Sequence, residues 1–208
     1  VAYLDSTHEV ADRVEAFFVR LAGKGGLIGG ESLPSEQLRW KMGNERTIDG
    51  GKAGPMTELE AIQALLMWQQ EDGRRHMEGK RDESGKPVSS WSYDQAWIDS
   101  IKGQLSPQAQ MVKSFIEKEY GSEYSTLNAL YRERHGVNLP RHDRYAPITV
   151  KPMEAKSGEV VDPVTGSVAA GSGSLLTPGP LRTRSRSAIA EPDFRDALAT
   201  MIAHKKQL

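Results

Sequence analysis

Five histidines offer the readiest metal and proton-transfer chemistry in this sequence: His8, His76, His135, His142 and His204. A helical zinc pair needs two imidazoles about three to five residues apart so that both share one face, and none of the five has a partner at that spacing. His135 and His142, with Asp143, read as a polar helix end and the loop after it. Carboxylate pairs for general acid–base work can be drawn among Glu117, Glu119, Glu123 and Glu133. However, 28 acidic residues in a helical chain produce such pairs without selecting one. Gly23-Lys24-Gly25-Gly26 lacks the Lys-Ser or Lys-Thr that a phosphate loop sets at a helix start, so it reads as a connector. No catalytic residue, metal ligand or cofactor is expected.

One basic run remains, Leu181-Arg182-Thr183-Arg184-Ser185-Arg186-Ser187. On an extended backbone Arg182, Arg184 and Arg186 can follow successive phosphates, which makes them the candidate anion or nucleic-acid contacts. No aromatic residue is interleaved to stack on bases, and a solvated linker is the competing reading. The formal charge of −1 gives no overall field towards nucleic acid or anionic lipid, so any such attraction must be local. Cysteine is absent, which excludes disulfides and thiol chemistry. Apolar residues make up 38% of the chain against 26% charged, so only part of its 208 residues need form a core. No apolar run nears the roughly 20 residues that cross a bilayer, and Asp5, Glu9, Asp12 and Glu15 occupy the place of a signal peptide's apolar centre.

The elements that must position these residues are helices. A first helix after Asp5 or Ser6 sets Val10, Val14, Phe17, Phe18 and Leu21 at helical spacing and ends at Gly23. Glycine richness from Gly23 to Pro55 argues against regular structure there, with Leu38, Trp40 and Met42 as anchors to a core. Thr57-Glu58-Leu59-Glu60 is a capping box ahead of an apolar face of Leu59, Ile62, Leu65, Leu66 and Gln69. That helix is expected to stop near Gly73, before a solvated loop from Arg74 to Lys86.

Ser90 or Ser92 can cap a helix carrying Trp97, Ile98, Ile101 and Leu105. Ser106-Pro107 opens the next, with Met111, Phe115, Ile116 and Tyr120 inward and a break near Gly121 favoured over continuation to Gly136. Leu59, Ile62, Leu65 and Leu66 should pack on Trp97, Ile101 and Phe115. Pro140, Pro147 and Pro152 then favour an extended path. Lys156 to Pro180, with Gly171-Ser172-Gly173-Ser174, has the composition of a linker without stable structure of its own. Pro192 opens a last helix with Phe194, Leu198, Met201 and Ile202 on one side.

The sequence thus predicts a mainly α fold: about five helices in an irregular bundle with an extended Pro/Gly/Ser-rich arm. Its divisions are an N-terminal helix and Gly-rich connector over 1–55, a helical core over 56–136, an extended arm and flexible linker over 137–190, and a C-terminal helix over 191–208. Val1 at the start and a helical pattern running out at His204 to Leu208 read as a piece of something longer.

Three stretches taken together carry a resemblance: Thr57 to Trp68; Leu127 to Pro140 followed by Arg144-Tyr145-Ala146-Pro147; and Pro180-Leu181-Arg182-Thr183-Arg184-Ser185 before the terminal helix. In order and texture, residues 55 to 208 resemble the regions of large polyvalent proteins found in the multi-module polypeptides of bacteriophages and mobile elements. Ala146 departs from the bulky residue usual before that proline. The resemblance implies a non-enzymatic module of an internal virion, genome-delivery protein, located in the virion interior or the host cytoplasm. Its partners would be other virion proteins or segments of the parent polypeptide, with weak nucleic-acid contact and self-association left open. Two alternatives remain: a fragment of a phage enzyme such as a cell-wall hydrolase or polymerase-associated region, and a nucleic-acid-binding module.

Overall fold

In the computed structural model, described over residues 2–23, 27–28, 31–32, 34–138, 145–151, 160–161, 168–169 and 189–205, the chain is mainly helical. The helices are α1 (Ala2–Gly23), α2 (Ser35–Asn44), α3 (Glu58–Trp68), α4 (Glu71–Glu78), α5 (Gln95–Gln104), α6 (Pro107–His135) and α7 (Ala197–Lys205). Three two-stranded antiparallel pairs accompany them: β1 (Leu27–Ile28) with β2 (Glu31–Ser32), β3 (Thr47–Asp49) with β4 (Pro55–Thr57), and β5 (Val160–Val161) with β6 (Val168–Ala169).

Helix α3 is the hub, packing against α2, α4, α5, α6 and α7. Its start is fixed by the capping box: the Glu60 N–H donates to Thr57 Oγ1 at 3.2 Å, and the Thr57 N–H donates to Glu60 Oε2 at 2.7 Å. Its sequence is apolar on every side, and Leu59, Ala61, Ile62, Ala64, Leu65, Leu66 and Met67 are all buried. They share one core with Val10, Val14, Phe18 and Leu21 of α1, Leu38 and Met42 of α2, Ile98 and Ile101 of α5, and Leu198 and Met201 of α7.

Seven helices among the described residues exceed the expected five, because two stretches read as irregular are helical. Within the glycine-rich region Ser35–Asn44 forms α2; Leu38 and Met42 anchor it, whereas Trp40 is 55% exposed and anchors nothing. Gly43 lets α2 approach α3, since a Cβ there would sit 3.2 Å from Leu59 Cδ1. The supposed stop at Gly73 lies inside α4, which takes in Arg74 to Glu78 and buries Met77. A Cβ on Gly73 would stand 2.1 Å from the Met67 carbonyl oxygen, so this glycine permits close passage of α4 over the end of α3 instead of ending a helix.

Other boundaries also move. Asp94, not Ser90 or Ser92, caps α5 by accepting the Trp97 N–H at 2.9 Å. Ser106 and Pro107 do open α6, but the helix passes through Gly121 and stops only where Gly136 adopts φ 72°. Among the described side chains of α6, Ala109, Val112, Ile116, Glu119 and Tyr120 are buried; Met111 is exposed, and Phe115 is half-buried, stacked on Phe17 at 4.3 Å. Trp97 is likewise half-buried at the margin of the core. Pro192 does not open α7: it lies in an antiparallel bridge with Val150, and the helix begins after Asp196, whose carboxylate accepts the Ala199 N–H at 2.8 Å.

Residues 145–151 run extended over the core, and alternate side chains Ala146, Ile148 and Val150 are buried. Gln63 Nε2 donates to the Pro147 carbonyl at 2.9 Å and Gln70 Nε2 to the Ala146 carbonyl at 2.6 Å, so α3 and the turn after it grip this strap by its backbone. The expectation for Lys156 to Pro180 lies outside the described residues except at β5 and β6, where Val160 pairs with Ala169 and Val161 with Val168.

Candidate functional site

A grouping of ionisable and aromatic side chains forms where α7 docks on α6 and α1. Glu119 on α6 stands 2.7 Å from Lys205 Nζ and 3.1 Å from Arg13 Nε, although these partners lie 86 and 106 residues away in sequence. The Lys205 and Glu119 side chains are only 6% and 11% exposed, whereas Arg13 is 45% exposed and also reaches Glu9 at 3.8 Å. Beside this pair the rings of Tyr120, Tyr145 and His204 meet: Tyr120 to Tyr145 at 6.1 Å, Tyr120 to His204 at 5.9 Å and Tyr145 to His204 at 5.5 Å.

Burial pushes the Glu119 carboxyl up, and the hydrogen bond and charge of Lys205, joined by Arg13, outweigh it, so that the group titrates below the ordinary carboxylate range. A carboxylate clamped between two cations at neutral pH is a poor proton acceptor. In this arrangement it ties the end of α7 to α6 and α1.

A second grouping closes the base of the segment between Lys151 and Ile189. The Lys151 N–H donates to the Glu191 carbonyl at 2.8 Å, the Asp193 N–H donates to the Thr149 carbonyl at 3.0 Å, and Thr149 Oγ1 donates to the Asp193 carbonyl. Lys151 and Glu191 are ion-paired across the same base, and the hydrogen bond between their side chains lifts the Lys151 ammonium above its usual range. One step further, the Ala190 N–H donates to His76 Nδ1 at 3.1 Å, tying the returning strand to α4. Phe194 then packs on Tyr93 and Trp97 at 5.4 and 5.6 Å.

The residues singled out from the sequence are distributed differently. Arg182, Arg184 and Arg186 lie outside the described residues, as do His142 and Asp143. His135 lies against Tyr131, the rings tilted with centroids 4.4 Å apart, near the exposed end of α6. Glu117 accepts from Gln69 and Lys113, and Glu133 is exposed on the solvent side of α6. Among the described residues no three His, Cys, Asp or Glu side chains are grouped to hold a metal ion, and no helix is long and apolar enough to cross a membrane.

Glu58, at the first turn of α3, accepts the Ser106 N–H at 2.9 Å and pairs with Arg46 at 3.5 Å, so it joins three elements from a buried position. Sequence reasoning missed Glu58, the Glu119 cluster and the His76 contact, because each pairs residues far apart in the chain. Compared with known proteins, the chain matches no family model, no curated protein and no solved structure.

Proposed function

We propose that this chain is a non-enzymatic structural and interaction module of a large bacteriophage internal virion protein, with its helical body as platform and residues 152–188 as the partner-contacting arm. The observation that carries the reading is the closed base of that arm, in which Thr149, Val150 and Lys151 pair with Glu191, Pro192 and Asp193. A segment that leaves and returns through paired strands at one place can address a neighbour while the core below it stays intact. Two further features support the reading. The buried charged groups among the described residues, Glu58, Glu119 and Lys205, join elements, and the order of segments from residue 55 onward resembles the polyvalent-protein regions.

The partners expected are other virion proteins or further segments of the parent polypeptide, met in the virion interior or the host cytoplasm. Arg182, Arg184 and Arg186 would pair with acidic side chains of such partners, because Glu191 and Asp193 close behind them offset their field for nucleic acid. Chemical crosslinking of purified phage particles followed by mass spectrometry tests this. Crosslinks from residues 152–188 to neighbouring virion segments are the expected result. A parent polypeptide missing from the particles, or an isolated chain that binds DNA tightly with a log–log salt slope near about −3 for three arginine contacts, would overturn it.

A further inference from the structure

Among the described residues, 189–205 meet the body through contacts made outside the chain between Lys151 and Ile189. The returning strand bonds to the 145–151 strap through Glu191 and Asp193 and to α4 through His76. Helix α7 then lays Ala197, Leu198 and Met201, all fully buried, against α1, α3 and α6. At its last turn Lys205 meets Glu119 in a nearly closed site, with the Glu119 carbonyl as a further acceptor at 3.5 Å. An apolar helix face supplies affinity and a desolvated ion pair at one end supplies register, the pattern by which an amphipathic helix is recognised as a ligand in a groove. The strand before it adds main-chain hydrogen bonds and the Phe194 ring, so the whole segment has the anatomy of a bound peptide.

We propose that residues 189–205 are a separable ligand of the body. After a cut anywhere within 152–188 the segment stays docked as a non-covalent subunit. This does not depend on which partner the arm contacts. Covalent linkage supplies an effective concentration of order millimolar, so the cut protein holds together at about 10 µM only if the groove binds the segment with a dissociation constant near about 1 µM or below.

The test inserts a site-specific protease recognition sequence at Gly171-Ser172-Gly173-Ser174 of the full chain, cuts it and passes the product over a gel-filtration column. Co-elution of both fragments in buffer and their separation in denaturant is the expected result. In the cut Glu119→Gln protein the C-terminal fragment should bind roughly 100-fold more weakly and elute alone, while the uncut variant stays folded. Lys205→Met, which leaves Glu119 the partner Arg13, serves as a second variant with an intermediate loss. Separation of the cut wild-type fragments in buffer would overturn the proposal. So would resistance of the inserted site to the protease, because the segment would then belong to the fold. Equal retention by wild type and Glu119→Gln would remove the ion pair from the recognition.

Discussion

Helices α3 and α6 begin with equally clear capping signals and end in different surroundings. Helix α3 is buried on every side within its 11 residues, whereas α6 runs for 29 residues and, among its described side chains, the buried ones end at Tyr120. From Gly121 to His135 the described side chains of α6 are exposed or half-exposed, and the helix closes on its Gly136 cap. The difference shows that a helix signal and a core signal are separate pieces of information. It also explains Gly121: a glycine ends a helix by adopting a left-handed conformation, and Gly121 keeps the helical one while Gly136 supplies the stop.

The contrast can be broken by substitution. Leu65→Ala on α3 should cost about 2–5 kcal/mol, against under about 0.5 kcal/mol for Met111→Ala on the exposed side of α6, as read from urea midpoints. Comparable losses at the two positions would erase the distinction.

Glu119→Gln sits at the boundary between the two halves of α6 and should cost about 3 kcal/mol at pH 7, the lower end for a buried pair because Arg13 is half exposed. Its pH dependence has a definite sign. The folded carboxyl titrates below the unfolded value near 4.5, so its contribution is present above that value and is lost as pH falls through the lowered folded one. Urea midpoints of wild type and variant should therefore draw together as pH falls through that lowered value. A gap that stays the same size as pH is lowered from 7 until the fold is lost would contradict the assignment.

Thr57→Ala removes the oxygen that holds the Glu60 N–H and should cost about 1 kcal/mol, visible as a lower thermal midpoint. Smallest, and opposite in sign, Gly121→Ala should stabilise by about 0.5–1 kcal/mol. An added Cβ there meets nothing within 4 Å, and alanine loses less backbone freedom in a helix.

The sequence disclosed what is settled within a turn or two of chain. Thr57 with Glu60, Ser106 with Pro107, the apolar face of α3, and Leu38 with Met42 are all local patterns, and all are present in the structure. It misled wherever a residue's meaning depends on how the chain folds back against itself. Gly73 looks like a terminator until the Met67 carbonyl is placed against it, and α4 looks like solvated loop because Met77 is its one large buried side chain. Glu119 is one of several interchangeable carboxylates until α7 brings Lys205 to it. No periodicity announces that Gln63 and Gln70 grip the backbone of a strap some 80 residues later.

That the body is complete without its arm is the central claim. Replacing residues 152–188 with a short Gly-Asn-Gly turn between Lys151 and Ile189, whose flanking strands already pair, and following thermal unfolding by circular dichroism tests that claim in one measurement. A single cooperative transition within about 4 °C of the intact chain is the predicted result, equivalent to less than about 1 kcal/mol for a body of this size. A midpoint lower by more than about 10 °C, or loss of cooperativity, would contradict it.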